Sequence, residues 1–201
     1  PFPMAGVPAR EPGFARDGAF EFTCAPDEPT PAPWVNICAN PDFGLLLSER
    51  GGGFLWVKNS RSGRLTPYAN DPLREGFYMN LWVYRPDTGE GLSLYPMPEG
   101  NSGRVAIRYE PGLCVAEGAC GLFSWKVTSF VPDRGTVACR EIEITAKEHF
   151  SGELVAEIRW LLCVHPSHSR LTREGWYRDM IWARGGVGET AFSSLSGGAA
   201  L

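Results

Sequence analysis

The clearest pattern along the chain is an alternation of apolar and polar residues between positions 141 and 162. Ile142 and Ile144 alternate with Glu141 and Glu143, and Ala146 continues the apolar set. After a Ser-Gly turn, the even positions from 154 to 162 are again apolar. A period of two places such residues on one face of a strand, so each run predicts a half-buried strand. We expect residues 137–163 to form an antiparallel hairpin.

Two shorter hairpins are predicted earlier in the chain. The apolar runs 44–48 and 54–57 flank three consecutive glycines. The runs 78–84 and 91–95 flank Arg-Pro-Asp-Thr-Gly-Glu. In that turn the proline fixes φ, the aspartate accepts a local hydrogen bond, and the glycine tolerates a positive φ. Both segments therefore have the form of strand, turn, strand.

The pattern predicts an all-β class. No segment repeats apolar residues at helical spacing with capping residues, and no repeat of roughly 20–50 residues is present. The 24 Gly and 17 Pro, with 12% aromatic residues, favour many short strands joined by tight turns. We predict a large antiparallel β-sandwich over residues 34–201, preceded by an extended segment, residues 1–33, that contains one short strand.

The net charge, the hydropathy and the cysteine spacing bear on which partners and bonds we expect. The net charge is −4, and the basic residues form no stripe, so nucleic acid is not an expected partner. No apolar run approaches the roughly 20 residues of a membrane-spanning helix. The six cysteines are widely spread, and we expect free, buried thiols, although Cys114 and Cys120 could approach across a hairpin. We also expect a trimmed chain, because it lacks an initiator Met and ends on small residues.

Residues 56–72 carry the strongest candidate chemistry. Arginines at 61 and 64 offer fixed hydrogen-bond donors, and Asn70 can bond hydroxyls in pairs. Trp56 and Tyr68 offer flat apolar faces to the C–H side of a sugar. The predicted substrate-binding residues are Arg61, Arg64, Tyr68, Asn70 and Trp56. The alternative is a long loop whose polar side chains satisfy its own turns.

Other motifs favour structural interpretations. Glu141 and Glu143 could be offered as a glycosidase pair, but alternating charge is typical of a strand facing water. Cys163, His165 and His168 match no common zinc spacing, so we predict no metal site. The glycine runs neither open a helix nor carry the Lys-Ser/Thr ending of a phosphate loop, and we interpret them as turns.

The segments PWVN, NPDFG and NSRSGRLTPYANDP, between residues 33 and 72, carry a family resemblance. They resemble the amino-terminal domain of the cellobiose phosphorylase and cyclic β-1,2-glucan synthase family, and the resemblance extends over about residues 14–192. It implies a super-sandwich of the galactose-mutarotase-like kind. Family members continue with a helical linker, an (α/α)6 barrel with the catalytic acid, and a small carboxyl-terminal piece. The catalytic centre would then lie outside this chain.

The resemblance implies a non-catalytic role in an inverting glycoside phosphorylase or a β-glucan synthase. The domain would serve as scaffold, dimer surface and wall of the substrate site, with β-linked glucosides or oligosaccharides, the barrel and a second copy as partners. No cofactor is implied, and inorganic phosphate would be the co-substrate of the parent enzyme. The implied location is cytoplasmic, or at the cytoplasmic membrane for a glucan synthase.

Two further functions remain open at the level of sequence. The chain could be a free-standing carbohydrate-binding module with an exposed aromatic platform at Trp34, Trp56 or Tyr68. It could also be an assembly protein whose open sheet edge recruits a partner.

Overall fold

The computed structural model describes residues 6–28, 30–60, 63–66, 79–96, 103–147, 155–163, 180–186 and 189–194. These residues form strands, turns and bends and no helix, which confirms the predicted all-β class. The strands are β1 (Gly13–Phe14), β2 (Phe20–Cys24), β3 (Val35–Ala39), β4 (Phe43–Ser48), β5 (Gly53–Val57), β6 (Met79–Tyr84), β7 (Gly91–Ser93), β8 (Val105–Glu110), β9 (Leu113–Ala119), β10 (Phe123–Phe130), β11 (Cys139–Ala146), β12 (Val155–Cys163), β13 (Met180–Gly186) and β14 (Glu189–Ser194).

The strands form three antiparallel sheets. The six-stranded sheet has the order β1-β2-β8-β9-β10-β11, and the five-stranded sheet has the order β14-β13-β12-β6-β7. A three-stranded sheet has the order β3-β4-β5. The predicted amino-terminal segment contains two strands where one was expected: β1 pairs with β2, and β2 pairs with β8. Part of that segment therefore belongs to the sandwich itself.

Turn chemistry places the two short hairpins where the sequence predicts them. β4 pairs with β5 across the glycine run, and β6 pairs with β7. Gly53 has φ +147°, and a Cβ there would lie 1.9 Å from the Leu46 carbonyl oxygen. Gly89 ends the second turn with φ +68°. A larger residue would strain either turn, because positive φ is costly for residues with a side chain.

The predicted hairpin of residues 137–163 is wrong. β11 pairs with β10, placing Glu141 opposite Thr128. β12 lies in the five-stranded sheet between β6 and β13, placing Glu157 opposite Trp82. Alternation fixes which residues share a face, but it carries no information about which strand lies alongside.

The core lies on the inner face of the six-stranded sheet. In β8 and β10 every second residue is buried, as expected for strands with one face covered. The three-stranded sheet contributes Cys38, Leu45 and Leu47 to this core, and β6 and β7 of the five-stranded sheet contribute Leu81, Val83 and Leu92. Burying a large apolar side chain contributes about 1.5–3 kcal/mol. The largest fully buried apolar side chains are Phe22, Phe123, Leu45, Leu47, Leu81, Leu92, Leu94, Val83, Val105 and Val127.

The described cysteines agree with the prediction of mostly free, buried thiols. The five whose side chains are described, Cys24, Cys38, Cys114, Cys120 and Cys139, are all free. Cys114 and Cys120 do not face each other across a hairpin, because β9 runs between them in one direction. Six residues of extended chain separate them by about 20 Å.

Candidate functional site

The chain reverses just after β5 and brings two predicted site residues together. The Val57 amide donates to the Gly63 carbonyl at 2.8 Å, and the Leu65 amide donates to the Leu55 carbonyl at 2.9 Å. This pairing places Trp56 directly opposite Arg64. Directly opposite residues share a face, so both lie on the outer side of the three-stranded sheet.

The reversal depends on a compact turn. Lys58 adopts φ +59°, a left-handed conformation that few residues other than glycine adopt. A Cβ at Gly63 would lie 1.8 Å from the Val57 carbonyl oxygen, so only glycine fits there. The returning strand is held by Thr66, whose fully buried Oγ1 accepts from the Leu55 amide at 2.9 Å.

Trp56 lies flat on the sheet because its neighbour on β4 has no side chain. Gly44 is its register partner, and a Cβ at Gly44 would lie 2.0 Å from the indole Cζ2. The Phe54 ring packs beside it, with ring centroids 5.2 Å apart. One indole face is covered by backbone while the residue stays half-buried. The geometry is that of an aromatic platform, able to stack on an apolar ring face.

Arg64 borders this platform. Its guanidinium carbon lies 4.4 Å from the Phe54 ring centroid, a cation–π distance. Its Nε donates to the Ser60 carbonyl at 3.3 Å. These contacts orient a planar group with several donors beside Trp56. A sugar presents an apolar C–H face and polar hydroxyl groups at its edge. The flat indole suits the C–H face, and the guanidinium donors suit the hydroxyl groups.

An apolar row continues the platform across the sheet. Ile37 pairs with Leu46, and Leu46 pairs with Phe54, so the three side chains share the outer face. Ile37 is 54% exposed. Phe54 is only 5% exposed, and Trp56 and Arg64 pack against its ring. We call the side formed by Ile37, Leu46, Phe54, Trp56 and Arg64 the outer face of the three-stranded sheet.

The remaining predicted site residues divide into two groups. Arg61, Tyr68 and Asn70 lie outside the described residues. Trp34 is half-buried and packs against the core, so it does not form an exposed platform. Its ring makes edge contacts with Phe20 and Phe22 at centroid distances of 5.3 and 4.8 Å, and its carbonyl accepts from the Tyr109 hydroxyl at 3.1 Å.

Sequence reasoning missed Gly44 and Phe54. The signal for Phe54 is its position two residues before Trp56, which places both on one strand face. Gly44 gives no local signal, because its role depends on the register between β4 and β5.

A polar residue of the NPDFG motif has a structural role. The Oδ1 atom of Asn40 accepts from the amides of Asp42 and Phe43 at 2.8 and 2.7 Å, which forms the turn before β4. Its Nδ2 donates to the carbonyls of Pro132 and Gly135 at 2.7 and 2.8 Å. All of these bonds join backbone segments, so the side chain is engaged in holding the sandwich together.

Among the described residues, one charged cluster pairs four side chains within the chain. Arg108, on the outer side of the six-stranded sheet, contacts Asp17 and Glu21 at 2.5 Å and Glu110 at 2.6 Å. The hydrogen bond from Arg108 lowers the pKa of the Asp17 carboxyl. Exposed pairs of this kind contribute little free energy of unfolding. The cluster orders the sheet surface and offers no vacant cation.

The other motifs stay structural where they are described. Glu141 is exposed, and Glu143 pairs with Lys126 at 3.3 Å, as expected for a water-facing strand. Within the described ranges, no three or more His, Cys, Asp and Glu side chains are grouped to hold a metal ion. The described residues also include no helix long and apolar enough to cross a membrane. His165 and His168 lie outside the described residues.

Comparison with known proteins agrees with the fold. Residues 20–188 match the family described as Glycosyl hydrolase 94, supersandwich domain. A segment of 89 residues, 44% of this chain, is 43% identical to the cyclic β-(1,2)-glucan synthase NdvB of Rhizobium meliloti (strain 1021). That segment spans only 3% of the relative's length. The resemblance inferred from the sequence motifs is confirmed, and the chain belongs to the glycosyl hydrolase 94 family through its supersandwich domain.

Proposed function

We propose that this chain is the non-catalytic domain of an enzyme acting on β-linked glucans, and that its outer face forms one wall of the substrate site. The observation that carries the proposal is the pairing of Trp56 with Arg64 above the bare backbone of Gly44. The similarity to a protein named cyclic β-(1,2)-glucan synthase supports a β-glucan as the substrate class.

The chemistry of the outer face supports a role in substrate binding and not in catalysis. Trp56 supplies apolar contact area, and Arg64 supplies hydrogen-bond donors, but neither can act as a general acid at neutral pH. We place the catalytic acid and any phosphate-binding groups on a barrel domain of the parent enzyme. The same proposal includes contacts with that barrel and a second copy of the chain as a partner. It also includes a cytoplasmic or membrane-associated location.

A binding experiment tests the outer face directly. We expect the isolated chain to bind β-1,2-linked gluco-oligosaccharides at roughly millimolar Kd, the range of a single weak contact surface worth about 4 kcal/mol. Trp56→Ala and Arg64→Met should each abolish measurable binding. Phe14→Ala is the matched control, because Phe14 is an aromatic side chain that is 79% exposed elsewhere on the surface. Calorimetry or chemical-shift titration gives the affinities.

Kinetics of the parent enzyme distinguish a substrate-site wall from a free-standing module. As a wall, the Trp56→Ala variant should raise KM several-fold with little change in kcat, because the ground state and transition state lose the same contact. Binding by the isolated chain with unchanged kinetics of the parent enzyme would support the free-standing module instead. No effect of the variant in either assay would refute the proposed site.

A further inference from the structure

A row of polar side chains crosses the inner face of the six-stranded sheet. Cys114 on β9 lies opposite Ser129 on β10, and Ser129 lies opposite Arg140 on β11. Directly opposite residues share a face, so all three side chains point toward the three-stranded sheet. Cys114 and Ser129 are 2% and 0% exposed.

A second thiol meets this row from the other sheet. Cys38, on β3, is fully buried, and its Sγ lies 3.7 Å from the Sγ of Cys114. The same Sγ lies 3.8 Å from the Ser129 carbonyl oxygen. The two cysteines are 76 residues apart in sequence. Their contact therefore joins the two sheets at the centre of the sandwich.

Arg140 places a positive charge beside this pair, and the buried hydroxyl of Tyr95 interacts with the same charge and with Cys114. Both of its terminal guanidinium nitrogens are buried without a hydrogen-bond partner among the described residues. An unpaired buried charge is costly, and a thiolate would compensate it. A hydrogen bond from Cys114 lowers the pKa of Cys38; burial opposes this effect, and the charge of Arg140 adds a smaller lowering. The pKa of Cys114 is raised, first because of the same hydrogen bond and then by burial.

We propose that Cys38 and Cys114 are a reversible redox pair, with Cys38 as the attacking thiolate, Cys114 as the resolving thiol and Arg140 as the positioning cation. The oxidant is hydrogen peroxide, because Cys38 is fully buried and glutathione disulfide is too large to reach it. The Cys38 thiolate attacks one peroxide oxygen, the O–O bond breaks and one water leaves, which gives a sulfenic acid at Cys38. Cys114 then attacks the Cys38 sulfur and releases a second water, so two thiols are oxidised to one disulfide and one peroxide is reduced to two waters.

The product is a covalent bond between the three-stranded and six-stranded sheets. The two Sγ atoms must approach from 3.7 Å to about 2.05 Å, a movement within the reach of small side-chain rotations. Closing a long loop removes conformational freedom from the unfolded chain, so the oxidised form should be more stable. The bond would also fix β3, whose neighbours β4 and β5 carry the aromatic platform.

The other described cysteines lack this arrangement. Cys24 donates its Sγ hydrogen to the Glu49 carbonyl at 3.3 Å, and burial raises its pKa to about 12. Cys120 is fully buried after β9. Cys139 is half-buried and free on β11. Selective oxidation of one pair among the six cysteines is therefore the distinctive expectation.

Peptide mapping of the folded chain tests the proposal. The chain is incubated with hydrogen peroxide, alkylated, and digested without reduction. We expect a linked pair of peptides containing Cys38 and Cys114, a Tm several degrees above that of the reduced chain, and reversal by dithiothreitol. Cys38→Ser and Cys114→Ser should each abolish the link, while Cys120→Ser should leave it intact. A folded chain that keeps both thiols free, or that links different cysteines, would overturn the proposal.

The role of Arg140 is tested by rate. Arg140→Met should slow formation of the link at neutral pH by about tenfold for each pKa unit by which the charge favours the thiolate. Arg140→Lys should retain most of the rate, because it retains the charge. Circular dichroism establishes that each variant is folded. The pH profile of the unmodified chain is an independent measure, and it should show reactivity below the usual pKa range of a free thiol. Equal rates for the Met and Lys variants, or a profile at the ordinary thiol pKa, would exclude Arg140 as the positioning cation.

Discussion

At the scale of single residues, two glycines determine where two tryptophans lie. Gly44 lies beneath Trp56, and Gly118 lies opposite Trp125, where a Cβ would be 2.1 Å from the indole. The local geometry is the same in both pairs. Trp125 is 3% exposed, and its Nε1 donates to the Leu94 carbonyl at 3.2 Å, so it belongs to the core. Trp125 lies on the inner face of the six-stranded sheet, whereas Trp56 lies on the outer face of the three-stranded sheet. This difference makes Trp56 a candidate site residue.

A buried carboxyl gives a prediction at this scale. Glu49 is 1% exposed, its Oε1 accepts from the Thr30 hydroxyl at 2.8 Å, and burial raises its pKa above 4.5. A raised folded-state pKa stabilises the fold below the unfolded value, and this contribution is lost as pH rises through the folded pKa. We therefore expect Glu49→Gln to raise the free energy of unfolding at neutral pH, and the gain to shrink near pH 4.5.

Urea unfolding at the two pH values measures this effect. The exposed Glu117→Gln variant on β9 is the control, and it should change the free energy of unfolding by less than about 0.5 kcal/mol. A gain for Glu49→Gln that is equal at both pH values would show that titration of Glu49 is not its cause.

At the scale of elements, β3 connects the two faces of the sandwich. Its outward residues, Val35 and Ile37, are 41% and 54% exposed, while Asn36 and Cys38 point inward. Asn36 donates from Nδ2 to the carbonyls of Glu110 and Leu113 at 2.7 and 3.0 Å, at the turn between β8 and β9. One strand thus contributes to the outer face and to the contact between sheets.

The hydrogen bonds of Asn36 give a prediction at this scale. Asn36→Ala removes both hydrogen bonds and leaves two carbonyls of the β8–β9 turn without their donor. We expect a loss of about 1–3 kcal/mol in the free energy of unfolding, because both part-buried hydrogen bonds are lost and the two carbonyls lose this donor. Denaturant unfolding gives the value. Val35→Ala, on the outward side of the same strand, should cost much less; equal losses would mean that the effect comes from β-propensity and not from the hydrogen bonds.

At the scale of the whole molecule, strand order decides which apolar residues are covered. β11 is the last strand of the described six-stranded sheet. Its inward residue Ile142 is half-buried, but Ile144 is 36% exposed, and Val137 just before the strand is 53% exposed. A strand edge with apolar residues is a template for pairing with another chain.

The apolar edge at β11 gives a prediction for the whole molecule. We expect the isolated chain to self-associate with increasing concentration, and Ile144→Lys to shift it toward the monomer. Thr136→Lys is the matched control, because it adds the same charge at an exposed loop position next to the strand. Light scattering across a concentration series measures the mass. If both variants associate as the unmodified chain does, the contact lies on another surface.

Local signals predicted the local structure. The glycine run before β5 and the Pro-Asp-x-Gly turn before β7 predicted two hairpins, because each turn fixes the pairing of the strands beside it. Alternation likewise predicted that Ile142 and Ile144 share a face. It could not predict that β11 pairs with β10 and β12 with β6, because several strands have the same period and contacts between distant segments leave no local pattern.

The sequence by itself determined the all-β class, the two turn-defined hairpins and the family, because these depend on local composition and motif. It also indicated Trp56 and Arg64 as candidate site residues, and that role stays a prediction. Only the tertiary structure decided that Gly44 supports Trp56, that Trp34 packs against the core, and that Cys38 meets Cys114 beside Arg140. The physical reason is that these contacts depend on register and sheet packing, which join residues far apart along the chain.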